Sequence, residues 1–157
     1  MEGKKVEFSK TELVHVVKPG DLNGGGRLFG GSLLSLIDET AGIVAKRHSM
    51  RNNVTTAAID HLVFKRGAFL NDLLVLMGYV TYTGRTSMEV RVDTYVEDIQ
   101  GMRRPINRAY FVMVAMDEED KPTPVPPLIL ESEGQKAEWE AALLRKENRK
   151  LRSKEGF

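Results

Sequence analysis

The sequence contains no cysteine. That excludes disulfides, thiol nucleophiles and cysteine-based metal centres, and it fits a reducing compartment such as the cytoplasm. No apolar run approaches the roughly 18 residues that a membrane-spanning helix needs. The opening residues, MEGKKVEFSK, lack the apolar stretch of a secretory signal. An excess of one charge is missing too: 23 Lys and Arg against 22 Asp and Glu leave a formal charge of +1. Such a chain has no global pull on polyanions, so any basic patch must be local. No fixed-period repeat is present. What remains is 157 residues, 41% hydrophobic and 29% charged, which suits one globular domain with a real core.

Residues 12–17, ELVHVV, form a short β-branched run that predicts a strand. KPGDLNGGGRLFGG (18–31) follows; its glycines predict a loop whose backbone can approach a ligand closely. GGSLLSLIDETAGIVAKRH (30–48) predicts a helix from about 31 to 48, buried on almost every side, with Lys46, Arg47 and His48 in the last turn. Four strand-like runs come next, at 54–64, 73–84, 87–97 and 107–117. In 87–97 Met88, Val90 and Val92 alternate with Glu89, Arg91 and Asp93, which predicts one core face and one wet face. The runs at 73–84 and 107–117 are apolar on both faces. KPTPVPP (121–127) holds four of the six prolines and ends regular structure. The tail, 132–153, patterns as a helix with Trp139 and Leu143 on one face, and its end, RKENRKLRSK, reads as basic and solvated. One helix on one largely antiparallel sheet is an α+β layout. A single central helix cannot cover both faces of that sheet, so a second copy of the chain is expected to cover the rest.

Two features carry chemistry. The glycine loop ends where the helix begins, and a helix start offers unpaired N–H groups and partial positive charge to an anion or a developing oxyanion. Gly30 and Gly31 place no side chain in the way, and Asn23 adds a neutral polar group. A simple flexible turn is the plainer reading. The loop lacks the Gly-Lys-Ser/Thr ending of a phosphate-binding P-loop. The second feature is Asp38, flanked on its helical face by Leu34, Ala41, Gly42 and Ala45. A buried carboxylate is costly unless paired, and such groups often belong to a site. Gly31 and Asp38 share a face but lie two turns apart, roughly 10 Å along the axis. One chain therefore does not bring both to the same reacting carbon. Glu39 points away and reads as a partly exposed charge. His15, His48 and His61 are scattered, and no His and carboxylate cluster has metal-ligand spacing.

DLNGGGRLFGGSLLSLIDETAGIVAKRH, then VTTAAIDHLVFKR, GRTSMEVRVD and PVPPL, over residues 10–128, resemble the acyl-CoA thioesterase (acyl-CoA hydrolase) family of the hotdog fold. The resemblance implies a thioesterase domain over 1–128, with a long central helix wrapped by a curved antiparallel sheet. Residues 129–157 are then a helical basic tail. It implies hydrolysis of acyl-CoA to free fatty acid and CoA. Asp38 would be the general base or nucleophile. Asn23, Gly30 and Gly31 would polarise the thioester from the other chain of a dimer, which resolves the 10 Å separation. It further implies a homodimer at least, with a trimer of dimers as the expected hexamer. Coenzyme A enters as part of the substrate, and no separate cofactor, metal, nucleic acid or membrane is expected. Its phosphates call for cations and loop donors; Lys65 and Arg66, with Arg85, Thr86 and Ser87, are the candidates, and Arg103 and Arg104 weaker ones. Phe29 and Ser32 flank the glycine pair where some relatives carry His or Trp, which leaves chain-length preference open.

Two other functions use the same motifs. A hotdog enoyl-CoA hydratase or dehydratase normally pairs its acid with a nearby His; here Asn23 is followed by Gly, Gly, Gly, Arg, Leu and Phe. A non-catalytic acyl-CoA-binding module would need an output domain, for which few residues remain.

Overall fold

A computed structural model describes residues 1–156. The chain runs β1 (Lys4–Lys5), α1 (Val6–Ser9), β2 (Thr11–Val16), a 3₁₀ turn (Pro19–Asp21), α2 (Gly30–Ser49), β3 (Val54–Phe64), β4 (Leu73–Thr83), β5 (Ser87–Glu97), β6 (Arg103–Ala115), β7 (Leu128–Ile129) and α3 (Glu133–Lys154). Five strands form one antiparallel sheet in the order β2-β4-β5-β6-β3, and β1 pairs with β7 in parallel. α2 lies on one face of the sheet and touches all five strands. This is the hotdog arrangement. Among the described residues no helix is long and apolar enough to cross a membrane.

The inner layer follows from apolar spacing. Leu33, Ile37, Ala41 and Val44 recur along one side of α2 and are buried against Leu76, Val90 and Phe111. Gly78 of β4 sits under the helix crossing. A Cβ there would lie 2.9 Å from Val44 Cγ2 and 3.0 Å from Thr40 Cγ2, so its absence sets how closely α2 approaches the sheet. α2 ends at Ser49, and its C-cap Met50 lies in the left-handed region with φ 58°, four residues before the β3 edge strand begins. α3 starts after the prolines, where Ser132 Oγ accepts Gln135 N at 3.2 Å as its N-cap.

Three expectations are corrected here. First, α2 is not buried all round: Gly31, Ser35, Asp38 and Glu39 form an exposed side in the single chain. Second, the polar face of β5 is not wet. Glu89 is 2% exposed and Asp93 6%, because the chain's own α3 covers β5. A second copy is not needed there. Third, the basic end of α3 is not simply solvated: its arginines turn onto the sheet. Arg145 grips Glu89 through two bonds of 3.0 and 2.7 Å, and Thr81 Oγ1 donates to the same carboxylate at 2.6 Å. Arg145 also stacks 3.7 Å above the Tyr110 ring. Arg91 spans Asp93 and Glu138, and Arg108 takes the other oxygen of Asp93. Trp139 packs on Tyr82 with ring centroids 4.5 Å apart, while Leu143 on the same face stays 41% exposed. α3 buries only Ala142 fully, so charge pairs and stacking hold it more than apolar burial does.

Candidate active site

The glycine loop is a tied structure. Asp21 Oδ2 accepts Lys18 N at 2.8 Å and pairs with His15 Nε2 at 2.8 Å. The Lys18 backbone bond first, then His15, holds the Asp21 carboxyl below its ordinary range. Asp21 O accepts Phe29 N at 2.8 Å, which closes the loop onto the helix start. Asn23 Oδ1 accepts Gly25 N at 2.9 Å and Arg27 N at 3.2 Å. That engages its acceptor and leaves the Nδ2 donor for a ligand.

Phe29 is the N-cap of α2 and supplies no side-chain cap, so the first-turn N–H groups stay open. The Phe29 ring lies across Gly31: a Cβ on Gly31 would stand 2.6 Å from Phe29 Cε1. Phe64 approaches Gly30 from the other side, 3.6 Å from where its Cβ would be. On the Phe64 side a cavity of about 380 Å³ opens, lined by Asn23, Arg27, Gly30, Phe64, Lys65 and Arg66, while Phe29 and Gly31 line a separate cavity with Asp21 and Ser32. The structure thus brings Asn23 and Gly30 together with Lys65 and Arg66, with Gly31 one residue further into the helix.

Asp38 stands apart from that cavity. It is exposed rather than buried in an apolar surround, because only the edge strand β3 reaches its side of α2. Its Oδ1 accepts Thr56 Oγ1 at 2.6 Å. Thr56 belongs to β3, an edge strand paired only with β6. The unpaired side of β3, together with Ile59, Val63 and Phe64, which are 39%, 54% and 50% exposed, borders the open side of α2.

Arg85 and Thr86 lie in the β4–β5 turn, and Ser87 opens β5. Arg85 O accepts Val125 N at 2.9 Å and Thr86 O accepts Ala115 N at 3.1 Å. β4 leaves the loop side near Phe69, which bridges Arg27, and runs its whole length before reaching this turn. Lys65 N donates to Ile106 O, and Ser87 pairs with Val114 eight residues further along β6; at about 3.3 Å per residue that is about 26 Å, so one chain does not join this turn to Lys65 and Arg66. Arg103 is engaged by Glu12 and Glu97, and Arg104 is exposed. His48 is fully buried between Ser9 and the Pro126 carbonyl, and His61 is exposed. No group of three or more His, Asp or Glu that could hold a metal ion occurs among the described residues. Thr56, Arg27 and Phe64 were not singled out from sequence. Thr56 sits in a β-branched run that already reads as strand, and nothing local marks its hydroxyl as aimed at α2.

Comparison with known proteins bears on this arrangement. The thioesterase superfamily model matches residues 25–102. The uncharacterized acyl-CoA thioester hydrolase YkhA of Bacillus subtilis is 36% identical over 158 residues, covering 98% of this chain and 91% of YkhA. The chain belongs to the thioesterase superfamily. The cytosolic acyl coenzyme A thioester hydrolase of Rattus norvegicus is 36% identical over 143 residues, 88% of this superfamily member. The chain spans only 37% of the rat protein's length. Among solved structures, an apo-hexameric acyl-CoA thioesterase has a TM-score of 0.92 at 42% identity, covering 98% of both chains. The acyl-CoA hydrolase of Staphylococcus aureus with butyryl coenzyme A and coenzyme A has a TM-score of 0.90 at 34% identity, over 98% of this superfamily member and 93% of that chain. Alanine variants of that hydrolase at an asparagine, an aspartate and a threonine have TM-scores of 0.93, 0.91 and 0.90.

Proposed function

We propose that the chain is an acyl-CoA thioester hydrolase whose active site is completed by a second copy. The observation that carries this is the division of the machinery: Asn23 and Gly30 beside one cavity, Gly31 next in the open helix start, and Asp38 held by Thr56 on the open side of the same helix. Two copies joined along their β3 edges would set the Asp38 of one against the helix start of the other. An 11-residue edge strand, paired with β6 on one side only and carrying exposed apolar side chains, is the surface expected of such a junction. The asparagine and aspartate replaced in the S. aureus hydrolase are fifteen positions apart, the separation of Asn23 and Asp38. The hexameric neighbour supports a homohexamer as the full assembly, and the cytosolic relatives support a cytoplasmic setting.

In the reaction, the thioester carbonyl oxygen accepts the Gly31 N–H and the Asn23 amide. Preorganised donors aimed at a developing oxyanion are each worth about 3–4 kcal/mol of barrier. Asp38 either takes a proton from the attacking water or attacks the carbonyl itself, giving an anhydride that water opens. Both routes expel coenzyme A as the thiolate and yield the free acid. Lys65 and Arg66 receive the phosphates of coenzyme A; Arg85, Thr86 and Ser87, about eight strand residues away across the sheet, reach them only from a neighbouring copy. The reading uses no cofactor.

The test is thiol release from acyl-CoA substrates running from acetyl to palmitoyl. Asp38→Ala and Asn23→Ala should each lose activity by about 100-fold or more with folding retained. Mixing the two inactive proteins should restore part of it, because one hybrid site then holds both groups. Hydration of an enoyl-CoA without thiol release, or tight acyl-CoA binding without turnover, would overturn the proposal. In a single turnover in ¹⁸O water, label in the Asp38 carboxylate identifies direct attack with water opening the anhydride at the Asp38 carbonyl.

A further inference from the structure

Asp60 is a carboxylate that the reaction does not use. It lies on β3 at the last regular pairing before the strand bulges, opposite Tyr110. Its side chain is 8% exposed, and both oxygens are taken by α3: Oδ2 by Arg149 at 2.6 Å and Oδ1 by Arg152 at 2.7 Å. The next residue, His61, has φ 54°. A non-glycine residue in that region is uncommon and persists only where its surroundings hold it. The ladder skips His61 and Leu62 and resumes at Val63. Past the bulge, Asn107 Nδ2 donates to Val63 O at 2.7 Å and Lys65 N to Ile106 O at 3.0 Å. The segment that ends in Phe64, Lys65 and Arg66, on the wall of the cavity, is thus fastened to β6 on one side of the bulge and to α3 on the other.

We infer that Asp60, gripped by Arg149 and Arg152, is a positioning residue through which α3 sets where Lys65 and Arg66 stand for the phosphates of coenzyme A. This rests on the hydrolase reading of the cavity. Removing the grip frees the bulge and leaves Asp38, Thr56 and the helix start untouched. Its effect is therefore confined to the phosphate-bearing half of the substrate.

The test compares acyl-CoA with the matching acyl-N-acetylcysteamine thioester, which has the same reacting bond and no phosphate. In Asp60→Asn the KM for acyl-CoA and the calorimetric Kd for coenzyme A should rise about fivefold to tenfold, with kcat within about twofold. Kinetics on the N-acetylcysteamine thioester should not change. Arg152→Gln, which replaces a half-exposed side chain with a single contact to Asp60, should move the same quantities about twofold to threefold and guards against misfolding of the first variant. Unchanged coenzyme A affinity in both variants, or equal losses on both substrates, would overturn the inference. A wild-type protein that binds coenzyme A but releases no thiol would sink the hydrolase reading alone, because the Kd comparison still decides the clamp. One that binds no coenzyme A would sink both.

Discussion

Thr56 Oγ1 donates to Asp38 Oδ1 across 2.6 Å, linking the edge strand β3 to the open side of α2. A hydroxyl on one carboxylate oxygen fixes the side chain's rotation and leaves the second oxygen free for a proton or a carbonyl carbon. Thr56→Ala should lower kcat for acyl-CoA about tenfold with little change in KM, and Thr56→Ser should recover most of it. Steady-state kinetics on the three proteins check this. Equal rates for Thr56→Ala and wild type would show that the bond positions nothing.

Gly78 stands where α2 crosses the sheet. The methyl of Gly78→Ala would press on Val44 Cγ2 and Thr40 Cγ2, both in the packed core. The expected loss is about 1–3 kcal/mol of folding stability, read from denaturant melts.

Glu89 depends on Arg145. Arg145→Met removes the two-bond partner of a carboxylate that is 2% exposed and leaves it with Thr81 and a distant Arg149. Breaking a buried pair on one side costs about 3–5 kcal/mol, whereas replacing both partners by apolar groups costs far less. Arg145→Met should therefore be much less stable than wild type, and the double variant Arg145→Met with Glu89→Leu should regain most of the difference.

His48 carries a pH dependence. Burial, with the nearby Lys4 charge adding to it and the Pro126 carbonyl opposing, holds its pKa below the ordinary 6.5. Between the folded and unfolded values the unfolded chain binds more protons, so stability is fully present above the unfolded value and falls as pH drops through it. Between about pH 7 and pH 5 the wild type should lose stability more steeply than His48→Gln. Thermal melts across that window measure the two slopes.

The elements were legible because each rests on local pattern. β3 spans Val54–Phe64 as its β-branched run predicts, and α2 covers Gly30–Ser49 around its apolar stripe and basic last turn. β6 begins at Arg103, earlier than its apolar run, because Arg103 and Arg104 pair with Glu97 and Val96 across the β5–β6 hairpin regardless of hydropathy. The short β1, α1 and β7 were not legible: two residues give no period, and β1 and β7 form only by meeting each other. Of the candidate site, Asn23 and Gly30 sit together because they are close in the chain, and the strand after α2 returns Lys65 and Arg66 to the same cavity. Thr56 was not foreseen, since its bond to Asp38 crosses between a strand and a helix.

Periodicity, turn residues and the quoted motifs determined the helix, the strands and the residues of the glycine loop, because those depend on neighbours within a few positions. Tertiary structure alone decided what covers what. Glu89 meets Arg145 across 56 positions and Asp60 meets Arg152 across 92, so a charge that alternation assigns to water ends in a dry pair under α3. Asp38, which the apolar helix pattern assigns to the core, stays exposed because only the edge strand β3, through Thr56, reaches that side. Whether a side chain meets solvent depends on which distant segment returns to it, and local sequence does not encode that return.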